Sequence, residues 1–292
     1  MALGRGSLFD PKLVTDLISK VKGKSSLAAL SNQTPVAFNG NKEFTFSFDN
    51  EIDIVAENGK KTHGGIKLNP VKIVPIKFEY GARVSDEFMY ASEEEKLAVL
   101  KEFNEGFAKK VARGLDIAAM HGLNPRTMEV STVVGDNHFD AKVTNTVTYT
   151  AATPDANIEA AIALVEDNER EISGMAISPT MRKDLAAMKN SANEKLYPEF
   201  AFGGKPTTLG ESKLDINNTV SKGDKGHALV GDFENMFKWG FAKQIPLEVI
   251  EYGDPDNSGM DLKGYNQVYL RSEVYLGWGI LDADSFARVT TE

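Results

Sequence analysis

The chain has 292 residues, 41% of them hydrophobic and 26% charged, a balance that excludes wholesale disorder and fits one elaborated domain or two joined ones. It has no cysteine, which excludes disulfides, thiolate metal sites and a cysteine nucleophile. A net charge of −9, with basic runs no longer than pairs such as Lys60-Lys61 and Lys109-Lys110, argues against a reader of nucleic acid.

No apolar run approaches the roughly 20 residues that span a bilayer. Met1 to Phe9 lacks the basic and apolar regions of a secretory signal, so the expected compartment is a cytoplasm. The first predicted element is a short amphipathic helix. Asp10 caps it, Pro11 takes its first position, and Leu13, Val14, Leu17, Ile18 and Val21 form one stripe that ends at Gly23. Strand-like runs follow at 35–38, 43–48 and 51–55. The middle one alternates, with Phe44, Phe46 and Phe48 on one face. Glu57 to Gly65 reads as an exposed tip, and the chain returns as a strand from Ile66 to Tyr80. The two arms make a long β-hairpin with too few apolar residues to support itself, an arm built to lie on a partner.

The strongest helix signal comes next. Ser92 and Glu95 form a capping box, Leu97, Leu100, Phe107, Val111, Leu115 and Ala118 recur at helical spacing, and Gly122 follows His121 as the stop. Some 30 residues at 1.5 Å each give a rod of about 45 Å. Beyond it, 130–134 and 141–150 are expected strands. A helix starts at Pro154-Asp155, and Gly174 to Ser178 reads as a buried strand. Ser178-Pro179 opens another helix, Phe202–Leu209 is a glycine-rich loop, and Ala228 to Phe233 is a strand ending in a turn. Alternating strands and helices over 155–250 suggest a compact α/β unit, and the tail from Gln267 to Val289 is almost continuously β in character.

Catalytic chemistry is sought and not found. His63, His121, His138 and His227 include no pair at the i, i+4 spacing of a helical metal site. They are read as a tip residue, a helix end and two polar loop positions. Phe202-Gly203-Gly204-Lys205-Pro206 superficially resembles a phosphate loop, but its spacing is wrong and Pro206 removes an N–H where one is needed. The 42 carboxylates nominate no acid–base couple. The sequence therefore predicts no catalytic, cofactor-binding or metal-binding residue, no cofactor, and no enzyme.

Several stretches, in order, resemble the major capsid proteins of tailed bacteriophages that share the HK97 fold. They are Glu57-Asn58-Gly59-Lys60-Lys61-Thr62, Val71-Lys72-Ile73-Val74-Pro75-Ile76 with Val84-Ser85-Asp86-Glu87-Phe88, Ala176-Ile177-Ser178-Pro179, Val230-Gly231-Asp232-Phe233, and Leu270-Arg271-Ser272-Glu273 through Asp284-Ser285-Phe286-Ala287. The resemblance spans essentially the whole chain and implies an α+β fold. Its parts are an N-terminal arm (1–35), an extended loop (36–75), a peripheral domain (76–154 and 251–292) carrying a spine helix over 92–122, and an axial domain (155–250). It implies a structural subunit that assembles as pentamers and hexamers into an icosahedral head and encloses double-stranded DNA without sequence-specific binding. It implies no membrane partner and a place in the virion after assembly in the host cytoplasm. The short arm before the hairpin implies a separate scaffolding protein or none, with portal and decoration proteins as further partners. Some members weld subunits through lysine–asparagine bonds; Lys60, Lys61, Asn257 and Asn266 are the positions to consider, although a solvated tip lysine is the ordinary reading. Two other readings stay open: an encapsulin-like compartment shell, and a soluble α/β enzyme with its hairpin folded back onto its own body.

Overall fold

The computed structural model describes residues 21, 24–48, 50–223 and 225–291, so the helix expected over 10–23 lies almost wholly outside the described residues. In chain order the elements are α1 (Ser26–Leu30), β1 (Asn41–Phe48), β2 (Ile66–Ile73), β3 (Ile76–Ser85), α2 (Glu87–Tyr90), α3 (Glu93–His121), α4 (Phe139–Lys142), β4 (Thr146–Thr148), α5 (Pro154–Glu166), β5 (Gly174–Ile177) and α6 (Pro179–Ala187). A 3-10 turn (Pro198–Gly203), β6 (Thr208–Leu209), β7 (Ser212–Ile216), β8 (Gly226–Gly231), α7 (Phe233–Met236), β9 (Phe237–Ile250), β10 (Gln267–Ile280) and β11 (Phe286–Thr290) complete the fold.

The spine helix α3 forms as its sequence dictates. The Ser92 hydroxyl accepts from the Glu95 N–H, and the Glu95 carboxylate reaches back to the Ser92 N–H. At the far end Gly122 turns into the left-handed region at φ 68°, and its N–H donates to the Ala118 carbonyl. A Cβ there would lie 2.4 Å from the His138 ring, so the stop tolerates only glycine. Exposure divides the helix. Leu97 and Val99 face solvent, whereas every residue from Gly114 to His121 is buried.

Three sheets organise the rest. β1 and β2 form the antiparallel hairpin; β3, β10 and β9 form a three-stranded sheet in that spatial order; β4, β11, β8, β5, β7 and β6 form a six-stranded one. The six-stranded sheet is covered on both faces, which explains why β5 is buried at every position. Successive side chains split between two cores, as a two-residue period requires. Met175, Ile177, Ala228 and Val230 join α5 and α6, while Ala176 and Leu229 join α1, α3 and the aromatic cluster of Phe139, Phe233, Phe237 and Phe286. Trp239 and Trp278, both fully buried, carry the second core across to the three-stranded sheet.

Several expectations need correction. Glu51 to Val55 is not a strand. Ile52 and Ile54 are 94% and 96% exposed, and alternation makes a strand only where a neighbour supplies the ladder. Residues 130–134 form a turn, with the Ser131 hydroxyl accepting from the Val134 N–H, and Val130 makes only an isolated bridge to Leu123. Within 141–150 only Thr146–Thr148 is a strand, because Phe139–Lys142 closes a helical turn instead. The return strand from 66 to 80 is two strands, broken at Val74-Pro75, where proline has no N–H to give. The glycine-rich loop begins inside the 3-10 turn. His227 sits in β8, not in a loop. The sheets draw on distant parts of the chain: β9 lies with β3 and β10, while β4 and β11 join the six-stranded sheet.

The buried half of α3 carries one acid. Asp116 is fully buried and accepts from the Ser25 hydroxyl at 2.5 Å, the Thr219 hydroxyl at 2.7 Å and the N–H groups of Ser26 and Leu27 at 2.9 and 3.2 Å. Burial raises its pKa to about 6 although each donor pulls the other way. In the unfolded chain the same group ionises near its ordinary value, so its contribution to stability is fully present below pH 4 and is lost as pH rises to about 6. Asp116→Asn should cost about 1–3 kcal/mol, because the amide turns a donor toward donors. In urea unfolding of the unassembled subunit, the stability gap between wild type and this variant should narrow from pH 4 to pH 6 and stay constant above. Val111→Asp, at a site 2% exposed, should cost about 3–5 kcal/mol in the same assay by burying an unpaired charge.

Candidate assembly interface

Among the described residues, the hairpin of β1 and β2 carries a continuous run of apolar side chains that its own fold leaves uncovered. Register places Phe44 opposite Pro70, Phe46 opposite Leu68 and Phe48 opposite Ile66. Directly opposed residues share a face, so the three phenylalanines, Leu68 and Ile66 line one side of an eight-pair ribbon about 27 Å long. The other side presents Glu43, Thr45, Ser47, Lys67 and Asn69. Phe44, Phe46, Phe48, Ile66 and Leu68 are each 53–72% exposed, and the only ring contact within the stripe is Phe46 edge-on to Phe48 at 5.0 Å. Covering such a side chain is worth roughly 1.5–3 kcal/mol.

The root of the ribbon is fixed while its upper part is free of the body. Ile73, the last residue of β2, is fully buried against Gly277 and Gly279 of β10. Lys238 on β9 pairs with Glu43 at 3.1 Å, and Phe38 meets Tyr275 edge-on at 5.0 Å. Beyond that anchorage the connection from 50 to 65 is exposed or nearly so, carrying Ile52, Ile54, Lys60, Lys61 and His63 into solvent. The first turns of α3 add Leu97, with Tyr90 just before them, to the exposed apolar surface.

The remaining histidines serve the fold. His121 bonds Asp140 at 2.8 Å through Nδ1 and the Thr219 carbonyl at 2.9 Å through Nε2. Arg288 on β11 bonds the other Asp140 oxygen at 2.8 Å. Burial pulls the Asp140 carboxyl up, but the hydrogen bond to His121 and the Arg288 guanidinium outweigh it and hold the group below its ordinary value. His138 caps α4 by accepting from the Ala141 N–H, and burial lowers its pKa. His227 stacks on Tyr149 at 3.7 Å and is lowered for the same reason. Burial, and then the Asp184 carboxylate at 2.5 Å, push the Tyr149 hydroxyl up. Among the described residues no three His, Asp or Glu side chains converge as a metal set, and no described helix is long and apolar enough to cross a membrane. Asn257 and Asn266 are exposed on the connection between β9 and β10.

The sequence located the phenylalanine stripe and the exposed tip. It did not find the Asp116 and His121 networks, although a lone acid inside Leu115-Asp116-Ile117-Ala118-Ala119 was a signal that buried partners must exist.

Comparison with known proteins agrees with this geometry. A structure from Mycobacterium phage Ogopogo matches with 31% identity and a TM-score of 0.79, covering 92% of each chain. One from Gordonia phage Cozz matches with 26% identity and a TM-score of 0.76, covering 92% of this chain and 87% of that one. The capsid of an empty GTA particle, computed with C5 symmetry, shares the fold at 14% identity and a TM-score of 0.65, covering 92% and 90%. No curated protein sequence matches. The model of the phage capsid family, with its HK97-like fold, runs from residue 6 to residue 291, and the chain belongs to that family as a structural protein of the phage virion.

Proposed function

We propose that the chain is the repeating subunit of an icosahedral head, closing into pentamers and hexamers, and that the β1–β2 hairpin is the arm by which one subunit grips the next. The observation that carries this reading is the apolar face of the hairpin, anchored at its root and uncovered along its length. In this reading the six-stranded sheet with α5 and α6 forms the axial part around which the rings close. The three-stranded sheet and α3 form the peripheral part, so β9 is peripheral and β4 and β11 are axial. A ring needs unlike surfaces on the two sides of each subunit, and an arm on one side supplies that asymmetry. The chain acts mechanically and catalyses nothing. It assembles in the host cytoplasm, and its −9 charge suits a wall that encloses DNA without gripping it.

The test is sedimentation of the recombinant protein, followed by negative-stain electron microscopy of the fastest fraction. Closed shells, or rings of five and six, are expected. A chain that stays monomeric with crowding agent and with co-expressed neighbouring gene products refutes the reading. Phe46→Asp combined with Leu68→Asp should leave the urea midpoint of the subunit within the equivalent of about 0.5 kcal/mol, because both sites are exposed, while abolishing fast-sedimenting material. Deleting Glu57 to Gly65 should likewise spare the fold and weaken assembly; unfolding of that variant would place the hairpin in the core.

A further inference from the structure

An open groove of about 620 Å³ runs between α5 and the turn that joins β6 to β7. Its floor is apolar, with Ile158, Ile162 and Met175. Its rim is acidic, with Glu159, Glu166, Glu171 and Glu211, and among the described residues none of these four forms an ion pair. Arg170, the only cation lining the groove among the described residues, is engaged by Asp282 at 2.8 Å. The groove lacks a filler from its own chain.

A second observation points to what fills it. In the 3-10 turn Pro198–Gly203, Phe202 is fully exposed at φ 53° and ψ 30°, a left-handed conformation that sterics disfavour for any residue with a Cβ and most of all for a bulky one. The turn is built to keep it there. Phe200 is fully buried, and its carbonyl accepts from Arg182 Nη1 at 2.8 Å. The Gly204 N–H donates to the Ala201 carbonyl at 2.9 Å, and a Cβ at position 204 would stand 2.0 Å from the Glu199 carbonyl oxygen. Holding a large apolar ring in water on a strained backbone gains the subunit nothing by itself, and strain of this kind gathers where another molecule is met. Two exposed lysines flank the ring, Lys195 with its Nζ 5.2 Å from the centroid and Lys205 just beyond the turn, against one exposed acid of the turn, Glu199.

We propose that the Phe202 turn of one copy of this chain seats in the α5 groove of a second copy. The ring covers the apolar floor, and Lys195 and Lys205 lay their stems beside it and carry their ammonium groups to the glutamate rim. The proposal rests on the reading of the chain as a ring-forming subunit and assigns the contact that closes the ring. Knob and groove are different surfaces of one chain, so the contact runs head to tail, which is what closes five or six copies around an axis.

The test uses full-length chains, read by sedimentation and negative-stain electron microscopy with wild type in every run. Phe202→Gly should raise the thermal midpoint of the unassembled subunit by about 2 °C, because glycine carries no strain at positive φ, while cutting the yield of rings about tenfold. Lys195→Glu with Lys205→Glu, and separately Glu159→Lys with Glu166→Lys, change exposed positions and should leave the subunit folded but unassembled. Mixing these two variants should restore assembly, since each knob then meets an opposite rim on the other. The rings should be hexamers without pentamers, because alternation needs an even number. Variants that assemble as wild type does overturn the contact and leave the ring reading intact. So do a mixture that stays unassembled or yields pentamers, and a Phe202→Gly midpoint that falls, which would mean that the ring packs on its own chain. A wild type that forms no rings with crowding agent and co-expressed neighbouring gene products removes the ring reading and this contact with it.

Discussion

The last two turns of α3 are buried on all sides, and that single constraint organises the molecule. A helix in such a position must hand every polar side chain a partner, because an unpaired buried charge is ruinously unfavourable. There are two such side chains, Asp116 and His121, and each reaches to a distant part of the chain. Asp116 takes the hydroxyl and the N–H groups that open α1, near the start of the described chain. His121 takes Asp140, and through it Arg288 on the last strand. Both also bind Thr219, one at its hydroxyl and one at its carbonyl. The two ends of the fold and the loop before β8 are thus tied to one rod, and the two large sheets take their places around it.

A body fixed in this way leaves the hairpin as the place where apolar surface is deliberately unspent. The contrast lies in the same residue types used oppositely. Phe139, Phe233, Phe237 and Phe286 interlock at ring separations of 5.0–6.3 Å inside the core, whereas Phe44, Phe46 and Phe48 stand in a row with nothing over them. A phage shell needs both. The subunit must be complete enough to fold before assembly, and incomplete enough to gain burial from a neighbour.

What the sequence disclosed follows from how local each signal is. The capping box at Ser92 and the αL stop at Gly122 are written within a few residues, and α3 runs between them as expected. Ser178-Pro179 and Pro154-Asp155 mark helix starts for the same reason. Strand pairing is not local. Nothing within Phe237–Ile250 says that it lies against β10 and not β8, so its partner is visible only in the structure. Alternation at 51–55 and 130–134 was equally ambiguous, since a two-residue period describes a strand only if a partner exists. The projecting hairpin was legible because its arms hold too few apolar residues to support themselves, and its phenylalanine stripe because Phe44, Phe46 and Phe48 alternate.

The direction in which the hairpin leaves the body is set by an absence of side chains. β10 carries Gly277 and Gly279 on the face where Ile73 and Pro75 cross it. A Cβ at position 279 would stand 2.8 Å from Ile73, and one at 277 would stand 3.1 Å from Ile73 and 3.3 Å from the Pro75 backbone. Any larger residue would lift the root off the sheet. The break at Val74-Pro75 then frees β2 from the ladder of β3 at the point where those glycines let it lie flat, so the arm starts from a firm seat with its course fixed by backbone contact. A lever of about 27 Å magnifies small changes at its root. The course of the arm is therefore decided less by the phenylalanines it carries than by two residues of β10 that have no side chain to touch with.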